Sequence, residues 1–274
     1  MSEAKGYILG QSERAARRLA IQDAHFGDVS EKLLDELTLK PNDRVVEVGC
    51  GPGGFSQRIM RRLGAGGVLV GVDCSDGLLT QASSVLAKVG PARFEPVLAD
   101  ISQLGDWLNG ADVVTGRTML HHVPMVELVL GRWRAVLRPG TRIGFLEPDF
   151  RTPLANLAHL EATGRSELAP LRMWAFAINQ LYLANRISPD VGATLAQTFT
   201  LAGYKNVRSE WYPGRADAFM IENMLMFYDE VRDRLVTLNI LTAAEIDEQQ
   251  RLLRALPDKG LPTVWGIFRV TCQV

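Results

Sequence analysis

The sequence predicts an α/β protein built on an open, three-layer sheet with parallel strands. Three observations support this prediction. Short β-branched runs alternate with helical stretches over residues 41–150, and strands that alternate with helices must pair in parallel through crossover connections. A glycine-rich loop follows the first of these strands. The chain has 274 residues, of which 47% are hydrophobic and 22% are charged, as expected for one globular domain with additions.

The core elements follow one another as four cycles of strand and helix and a fifth strand. The predicted strands are residues 44–48, 68–73, 94–100, 112–115 and 142–147. The first helix follows the glycine loop and carries Phe55, Ile59, Met60 and Leu63 at helical spacing. Further helices are expected over residues 75–89, around Trp107, and over residues 125–137, and the turn 138–141 leads into the fifth strand.

Two helical insertions interrupt the later part of this pattern. Residues 151–187 contain helical patterns without a strand, and one places Leu171, Trp174, Ile178, Leu181 and Tyr182 on one face. Residues 188–212 return to the core with a helix, for which Pro189 suits the first position and which ends at Gly203, and a strand over 207–212. The second insertion, 213–260, holds a helix over 216–235 and another opened by the capping box Thr242–Glu245.

The last strand of the core is predicted over residues 263–271, within the segment 261–274. Residues 1–40 form an N-terminal helical segment before the core. We interpret this segment and the two insertions as a cover over one edge of the sheet, although they are also compatible with additional core.

The charge balance excludes several classes of protein. Thirty Lys and Arg residues oppose 31 Asp and Glu residues, for a formal net charge of -1, so no overall field attracts nucleic acid or an acidic membrane. The sequence shows no membrane-spanning run and no signal in residues 1–10. Three cysteines suit a reducing cytoplasm. We therefore expect a cytoplasmic protein with a small-molecule partner, and a homodimer is left open.

The loop Gly49-x-Gly51-x-x-Gly54 lets the backbone approach a ligand closely between a strand and a helix. A pyrophosphate fits poorly, because Glu47 would place a carboxylate beside two phosphate charges. A ligand that joins a positively charged group to an adenosine fits better. At the ends of the next two strands, Asp73 suits the ribose hydroxyls and Asp100 the adenine amino group, with the amide of Ile101 at a ring nitrogen. The alternative for each aspartate is a helix N-cap.

Successive motifs of this sequence resemble those of class I S-adenosylmethionine-dependent methyltransferases. They are VVEVGCGPGG at 45–54, VGVD at 70–73, LAD at 98–100, DVVTGRTMLHHV at 112–123 and LRPG at 137–140. YILGQS at 7–12, Arg18, Gln22 and FLEP at 145–148 resemble a branch of bacterial small-molecule, or natural-product, methyltransferases. The resemblance implies a Rossmann-like sheet, mostly parallel with an antiparallel last strand, and S-adenosylmethionine as the cofactor. A nicotinamide-dependent oxidoreductase is disfavoured by Glu47 and by the later motifs.

The resemblance also implies roles for residues around the cofactor. Glu47, Gly49 and Gly51 would surround its methionine part, and Arg117 would lie at the methionine end, near the substrate. The alternative for Arg117 is a surface cation paired with a carboxylate at a helix end. Cys50 and Cys74 would lie beside the cofactor as small apolar residues, since no further Cys or His spacing supports a metal site.

The candidate catalytic residues are His121, His122 and Glu147, which follow strands four and five at the carboxyl edge of the sheet. A general base is optional, because aligning the reactants contributes roughly 7–11 kcal/mol, whereas a base adds about 10²–10⁴-fold in rate. A role in the scaffold or as an N-cap is equally open for the histidines. Because consecutive residues of a turn point apart, we expect at most one of them to face the substrate.

The insertions are rich in aromatic residues and methionine, which suits a pocket for a flat, apolar molecule. The candidate substrate contacts are Tyr7, Trp174, Tyr182 and Phe219. The predicted function is methyl transfer from S-adenosylmethionine to O, N or C of a small hydrophobic or aromatic metabolite, as in secondary metabolism. The alternative is a member of the same fold that does not methylate and uses the bound cofactor for cyclisation or elimination.

Overall fold

A seven-stranded sheet forms the centre of the protein in the computed structural model, which describes residues 19, 21–215, 217–257, 261 and 263–274. The strands are β1 Arg44–Val48, β2 Val68–Asp73, β3 Arg93–Leu98, β4 Val113–Arg117, β5 Arg142–Asp149, β6 Lys205–Arg215 and β7 Thr263–Gln273. Their spatial order is β3-β2-β1-β4-β5-β7-β6. The first five strands pair in parallel, and β7 is antiparallel to both of its neighbours. The mostly parallel sheet with an antiparallel last strand is thus confirmed.

Helices cover both faces of this sheet. They are α1 Gly27–Leu37, α2 Gly54–Met60, α3 Asp76–Leu86, α4 Val126–Val136, α5 Arg151–Ala162, α6 Ala169–Ala184, α7 Val191–Leu201, α8 Ala218–Thr237 and α9 Ala243–Arg254. Residues 21–25, just before α1, are also helical. Because both faces are covered, the central strands are apolar without alternation: Val45, Val46 and Val48 are all fully buried.

Side-chain caps begin three of the described α-helices, α3, α8 and α9. The predicted capping box is present, since Thr242 and Glu245 bond reciprocally at the start of α9. The start of α7 differs from its prediction. The helix begins at Val191 with Asp190 as N-cap, and Pro189 lies before it because its carbonyl accepts the amide of Phe150 at 2.9 Å.

The helices of the two insertions pack on each other, so that α6 contacts α5, α8 and α9. Trp174 of α6, Tyr228 of α8 and Leu253 of α9 are buried in one apolar cluster that also includes Phe26 and Trp265. The insertions and the residues before α1 therefore meet above the carboxyl end of β5. None of the described helices is long and apolar enough to cross a membrane.

Candidate active site

The glycine loop between β1 and α2 is held by β2. The amides of Gly49 and Cys50 both donate to the carbonyl of Val72, at 2.8 and 3.2 Å. Gly49 has a φ of +68° and leaves no room for a side chain, because a Cβ there would lie 2.1 Å from Cγ of Met119. Gly51 has a φ of +54°, but its Cβ position is open, with Leu19 nearest at 4.0 Å. Gly49 is therefore required for packing, whereas Gly51 keeps space open beside the loop.

Asp73, at the end of β2, ties the glycine loop to the next turn. Its Oδ2 accepts the amide of Gly51 at 2.9 Å, and its Oδ1 accepts the amide of Ser75, also at 2.9 Å. Burial raises the pKa of Asp73, and these amides oppose the rise. The alternative role as a helix N-cap does not apply, because Ser75 is the N-cap of α3 and accepts the amide of Leu78.

Asp100 and Ile101 follow β3 and differ in exposure. Asp100 is exposed, and its Oδ1 accepts the amide of Ser102 at 2.8 Å. Ile101 is buried at 4% exposure. The described turn after Asp100 is not a helix, so the alternative role of N-cap does not apply here either.

Glu47 and Arg117 form a buried charged group next to the loop. Glu47 is 2% exposed, and its Oε2 accepts the hydroxyl of Ser56 at 2.6 Å. Burial raises the pKa of Glu47 to about 8, and the Ser56 bond and Arg117 oppose the rise. Burial lowers the pKa of Arg117, but its guanidinium lies 2.8 Å from Oδ1 of Asp23. The alternative of a surface cation for Arg117 is therefore wrong, since a carboxylate from the N-terminal residues neutralises it inside the protein.

A cavity of about 350 Å³ opens beside the glycine loop, within the roughly 300–1,000 Å³ of ligand pockets. Five of the nine predicted cofactor residues line it: Glu47, Gly49, Cys50, Gly51 and Arg117. The other four, Asp73, Cys74, Asp100 and Ile101, are not part of its lining. Leu19, Gln22 and Asp23, which precede α1, also line it.

The two loop cysteines lie in different environments. Cys50 is buried in the wall of this cavity, and Cys74 is exposed after β2. Burial raises the pKa of both thiols, so neither is activated as a thiolate. Within the described residues, no group of three or more His, Cys, Asp or Glu side chains is arranged to hold a metal ion.

Glu147 is fully buried behind the turn 120–122 that follows β4. Its Oε1 accepts the amides of Met119 and Leu120 at 3.0 and 2.8 Å. Its Oε2 lies 3.2 Å from the amide and 2.7 Å from Nδ1 of His121. Burial raises the pKa of Glu147 to about 7 in spite of these amides. Glu147 therefore holds His121 in place. Although it is a candidate catalytic residue, it lines neither the cavity beside the glycine loop nor the cavity that the two histidines line.

The two histidine rings lie together, so the expectation that they point apart is wrong. The ring centroids of His121 and His122 are 4.0 Å apart. The ring of Tyr182 stacks on His121 at 5.9 Å with an angle of 10° between the planes. The tight 3₁₀ turn, clamped by Glu147 and packed against Tyr182, brings both rings to the same side.

A second, apolar cavity of about 70 Å³ lies between this turn and the insertions. His121 and His122 line it, together with apolar walls from Phe26, Phe150, Trp174, Ile178, Tyr182 and Phe227. Leu19, Gln22 and Thr118 line both this cavity and the larger one. The space beside the glycine loop and the apolar space are therefore neighbours that share one wall.

The structure brings Trp174 and Tyr182 into the apolar cavity but not Phe219. Phe219 is 55% exposed, while Met220, the next residue of α8, lines the cavity. One residue turns a helix by about 100°, so the two side chains cannot share a face. Tyr7, with the motif at 7–12, lies outside the described residues.

Several residues at the shared wall were not predicted. Asp23 pairs with Arg117, and Nε2 of Gln22 donates to Oδ1 of Asn223 at 3.3 Å. Thr118 has a φ of +51°, a left-handed conformation that is unfavourable for a β-branched residue. The sequence before α1 carried no signal for these partners, because 201 residues separate Gln22 from Asn223 and 94 separate Asp23 from Arg117.

The sheet order, the glycine loop tied to a carboxylate at the end of β2, and the cavity beside that loop define a class I S-adenosylmethionine-dependent methyltransferase fold. The chain belongs to the methyltransferase domain family, whose sequence profile matches residues 39–194. Nocamycin O-methyltransferase of Saccharothrix syringae is 29% identical over 179 residues, 65% of this chain and 58% of that protein. Aklanonic acid methyltransferase of Streptomyces sp. strain C5 is 26% identical over 57% of this chain and 77% of its own length.

The fold is shared with solved structures over almost the whole chain. A cyclopropane-fatty-acyl-phospholipid synthase-like protein from Lactobacillus casei superimposes with a TM-score of 0.61 over 97% of this chain and 95% of its own. The two sequences are 18% identical, so this likeness concerns the fold alone.

The residues around the larger cavity fit the cofactor of this family. Gly51 leaves an open Cβ position facing the space, and the buried carboxylate of Glu47 can balance a cationic ligand. The one described arginine of the lining is already paired with Asp23. The site thus offers a nucleoside cation a carboxylate, and it offers a pyrophosphate no unpaired cation.

Proposed function

We propose that the protein transfers the methyl group of S-adenosylmethionine to a hydroxyl oxygen of a small, flat, mainly apolar metabolite. The wall that the two cavities share carries this proposal, because Leu19, Gln22 and Thr118 face both of them. A cofactor beside the glycine loop and an apolar substrate would therefore meet across that wall. The name of one similar protein, nocamycin O-methyltransferase, supports oxygen as the acceptor atom.

For the methionine end of the cofactor, we assign Glu47, Gly49, Gly51 and Arg117. The raised pKa of Glu47 reflects a buried carboxylate without a full counter-charge, which a cationic ligand would supply. Arg117 attracts the carboxylates of both Asp23 and Glu47, and it is therefore a positioning residue.

For the adenosine end, we assign Asp73 to the ribose hydroxyls, and Asp100 with the amide of Ile101 to the adenine. Cys50 and Cys74 are small neighbours that leave room for the ligand. When bound, S-adenosylmethionine supplies a methyl group on a sulfonium, which an acceptor attacks in line.

His121 is the proposed general base. The carboxylate of Glu147 lies 2.7 Å from Nδ1, so it stabilises the tautomer that carries its proton on Nδ1 and leaves Nε2 as the acceptor. Nε2 would take the proton of the substrate hydroxyl, and Glu147 would stabilise the resulting imidazolium. A neutral amine needs no such base, so the buried Glu147–His121 pair favours oxygen over nitrogen. For His122 we propose a supporting role, through its ring contact with His121.

The test compares two neighbouring histidines in one assay. Release of S-adenosylhomocysteine is measured with hydroxylated two-ring aromatic acceptors for His121→Gln and for the matched control His122→Gln. We expect His121→Gln to lower kcat by about 10²–10⁴-fold with unchanged affinity for S-adenosylhomocysteine, and His122→Gln to stay within about tenfold of the wild type. Equal losses of kcat in both variants would refute the role of His121 as the general base. Product formed without release of S-adenosylhomocysteine would favour the non-methylating alternative.

A further inference from the structure

Trp174 carries a buried hydrogen-bond donor without an acceptor. The side chain is 2% exposed and lines the apolar cavity, and its Nε1 has no hydrogen-bond partner among the described residues. The rings that meet it edge to face, Phe150 at 6.0 Å and Phe227 at 6.1 Å, offer no oxygen or nitrogen acceptor. Buried donors are almost always paired in folded proteins, so an unpaired one at a cavity wall points to a ligand that supplies the acceptor.

Asn223 brings a second donor to the same cavity from the opposite helix, α8. Its Oδ1 already accepts a hydrogen bond from Gln22. Among the residues that the structure describes, its Nδ2 reaches only the thioether sulfur of Met220, at 3.8 Å, and a thioether is a weak acceptor. The amide therefore has its acceptor side occupied and its donor side poorly satisfied.

Two other tryptophans, Trp265 and Trp133, also carry an unpaired Nε1. Nε1 of Trp265 is also unpaired beside the cavity, but it lies over Gly214 of β6, where an added Cβ would be 2.2 Å away. Nε1 of Trp133 is unpaired as well, but Trp133 lies in the core on the other side of the sheet and lines neither cavity. No Asp or Glu is among the described residues of the apolar lining.

We infer that the apolar cavity recognises a carbonyl oxygen of its ligand through Nε1 of Trp174 and Nδ2 of Asn223. The substrate class is then a flat aromatic molecule that carries a ketone, lactone or similar carbonyl in addition to the hydroxyl. This inference rests on the proposed function only in taking the ligand to be the methyl acceptor. A carbonyl oxygen has two lone pairs, so it can accept from both donors at once.

The experiment uses two bicyclic phenols of nearly the same shape as probes. Isothermal titration measures the binding of 7-hydroxycoumarin, which has a ring carbonyl, and of 2-naphthol, which has none. The protein is saturated with S-adenosylhomocysteine, and a mildly acidic buffer keeps both phenols neutral. We expect the wild type to bind 7-hydroxycoumarin about tenfold more tightly than 2-naphthol, which corresponds to a difference of about 1.4 kcal/mol in binding free energy.

Trp174→Phe and Asn223→Leu should each reduce the ratio of the two affinities to about threefold or less, mainly by weakening the binding of the coumarin. Trp133→Phe removes an equivalent unpaired N–H away from the cavity and should leave the ratio unchanged. The inference is overturned if the wild type shows no preference or binds neither probe, or if Trp174→Phe weakens both probes equally. If the preference is present but no methyl transfer occurs with any acceptor, the proposed function fails and the carbonyl site stands.

Discussion

Replacement of Glu147 by glutamine should change how the stability of the protein depends on pH. Glu147 is fully buried, and its pKa is raised from the ordinary 4.5 to about 7 by that burial. The folded state therefore holds the proton more tightly than the unfolded chain. The stabilisation from this proton is complete below pH 4.5 and is lost as the pH rises through about 7. Glutamine stays neutral, so the variant lacks this loss.

The size of the effect follows from the two pKa values. A rise of the pKa from 4.5 to about 7 corresponds to about 3 kcal/mol in total. Between about pH 5 and pH 8, the free energy of unfolding of the wild type should fall by about 2.5 kcal/mol more than that of Glu147→Gln. Glu47, whose pKa is raised to about 8, remains in both proteins and cancels from the comparison.

Urea denaturation followed by tryptophan fluorescence measures this difference at a series of pH values. The exposed Glu127 on α4 supplies the control, because Glu127→Gln should run parallel to the wild type. If the curves of Glu147→Gln and the wild type were also parallel, Glu147 would not titrate between pH 5 and pH 8, and burial would not raise its pKa to about 7.

Two further predictions concern the larger cavity. Gly51→Ala should cost about 1 kcal/mol in stability because of its positive φ, and we expect about tenfold weaker binding of S-adenosylhomocysteine in titration, since the new methyl group enters the ligand space. The control is Gly140→Ala, at a φ of +85° with nothing near its Cβ position, which should lower the stability by the same amount and leave the binding of S-adenosylhomocysteine unchanged. Equal affinity of both variants for S-adenosylhomocysteine would argue against the cavity as the cofactor site. Glu47, mostly protonated at neutral pH, should release a proton when the cationic cofactor binds, and titrations in buffers of different ionisation enthalpy should show this release for the wild type and not for Glu47→Gln. Identical proton release in both would assign the charge balance to another group.

The glycine loop of the larger cavity was predictable because its signals are local. Gly49 and Gly51 stand directly between a strand and a helix, and Asp73 ends the next strand, so parallel pairing alone brings them to one edge of the sheet. The fit of Glu47 to a cationic ligand follows from its place two residues before the loop. For the apolar cavity, the sequence predicted only the composition of the lining. The aromatic residues of the insertions indicated a pocket, but they did not show which of them face it.

The sequence by itself determined the parallel sheet, the position of the glycine loop and the helical nature of the insertions, because periodicity and turn residues act over a few neighbours. Only the tertiary structure decided which side chains meet. The bond between Glu147 and His121 spans 26 residues, and the pairing of Asp23 with Arg117 joins the N-terminal residues to β4. Burial then sets their charge, since a carboxylate removed from water keeps its proton to higher pH unless a neighbour compensates it. Both the partner and the burial depend on how distant elements pack.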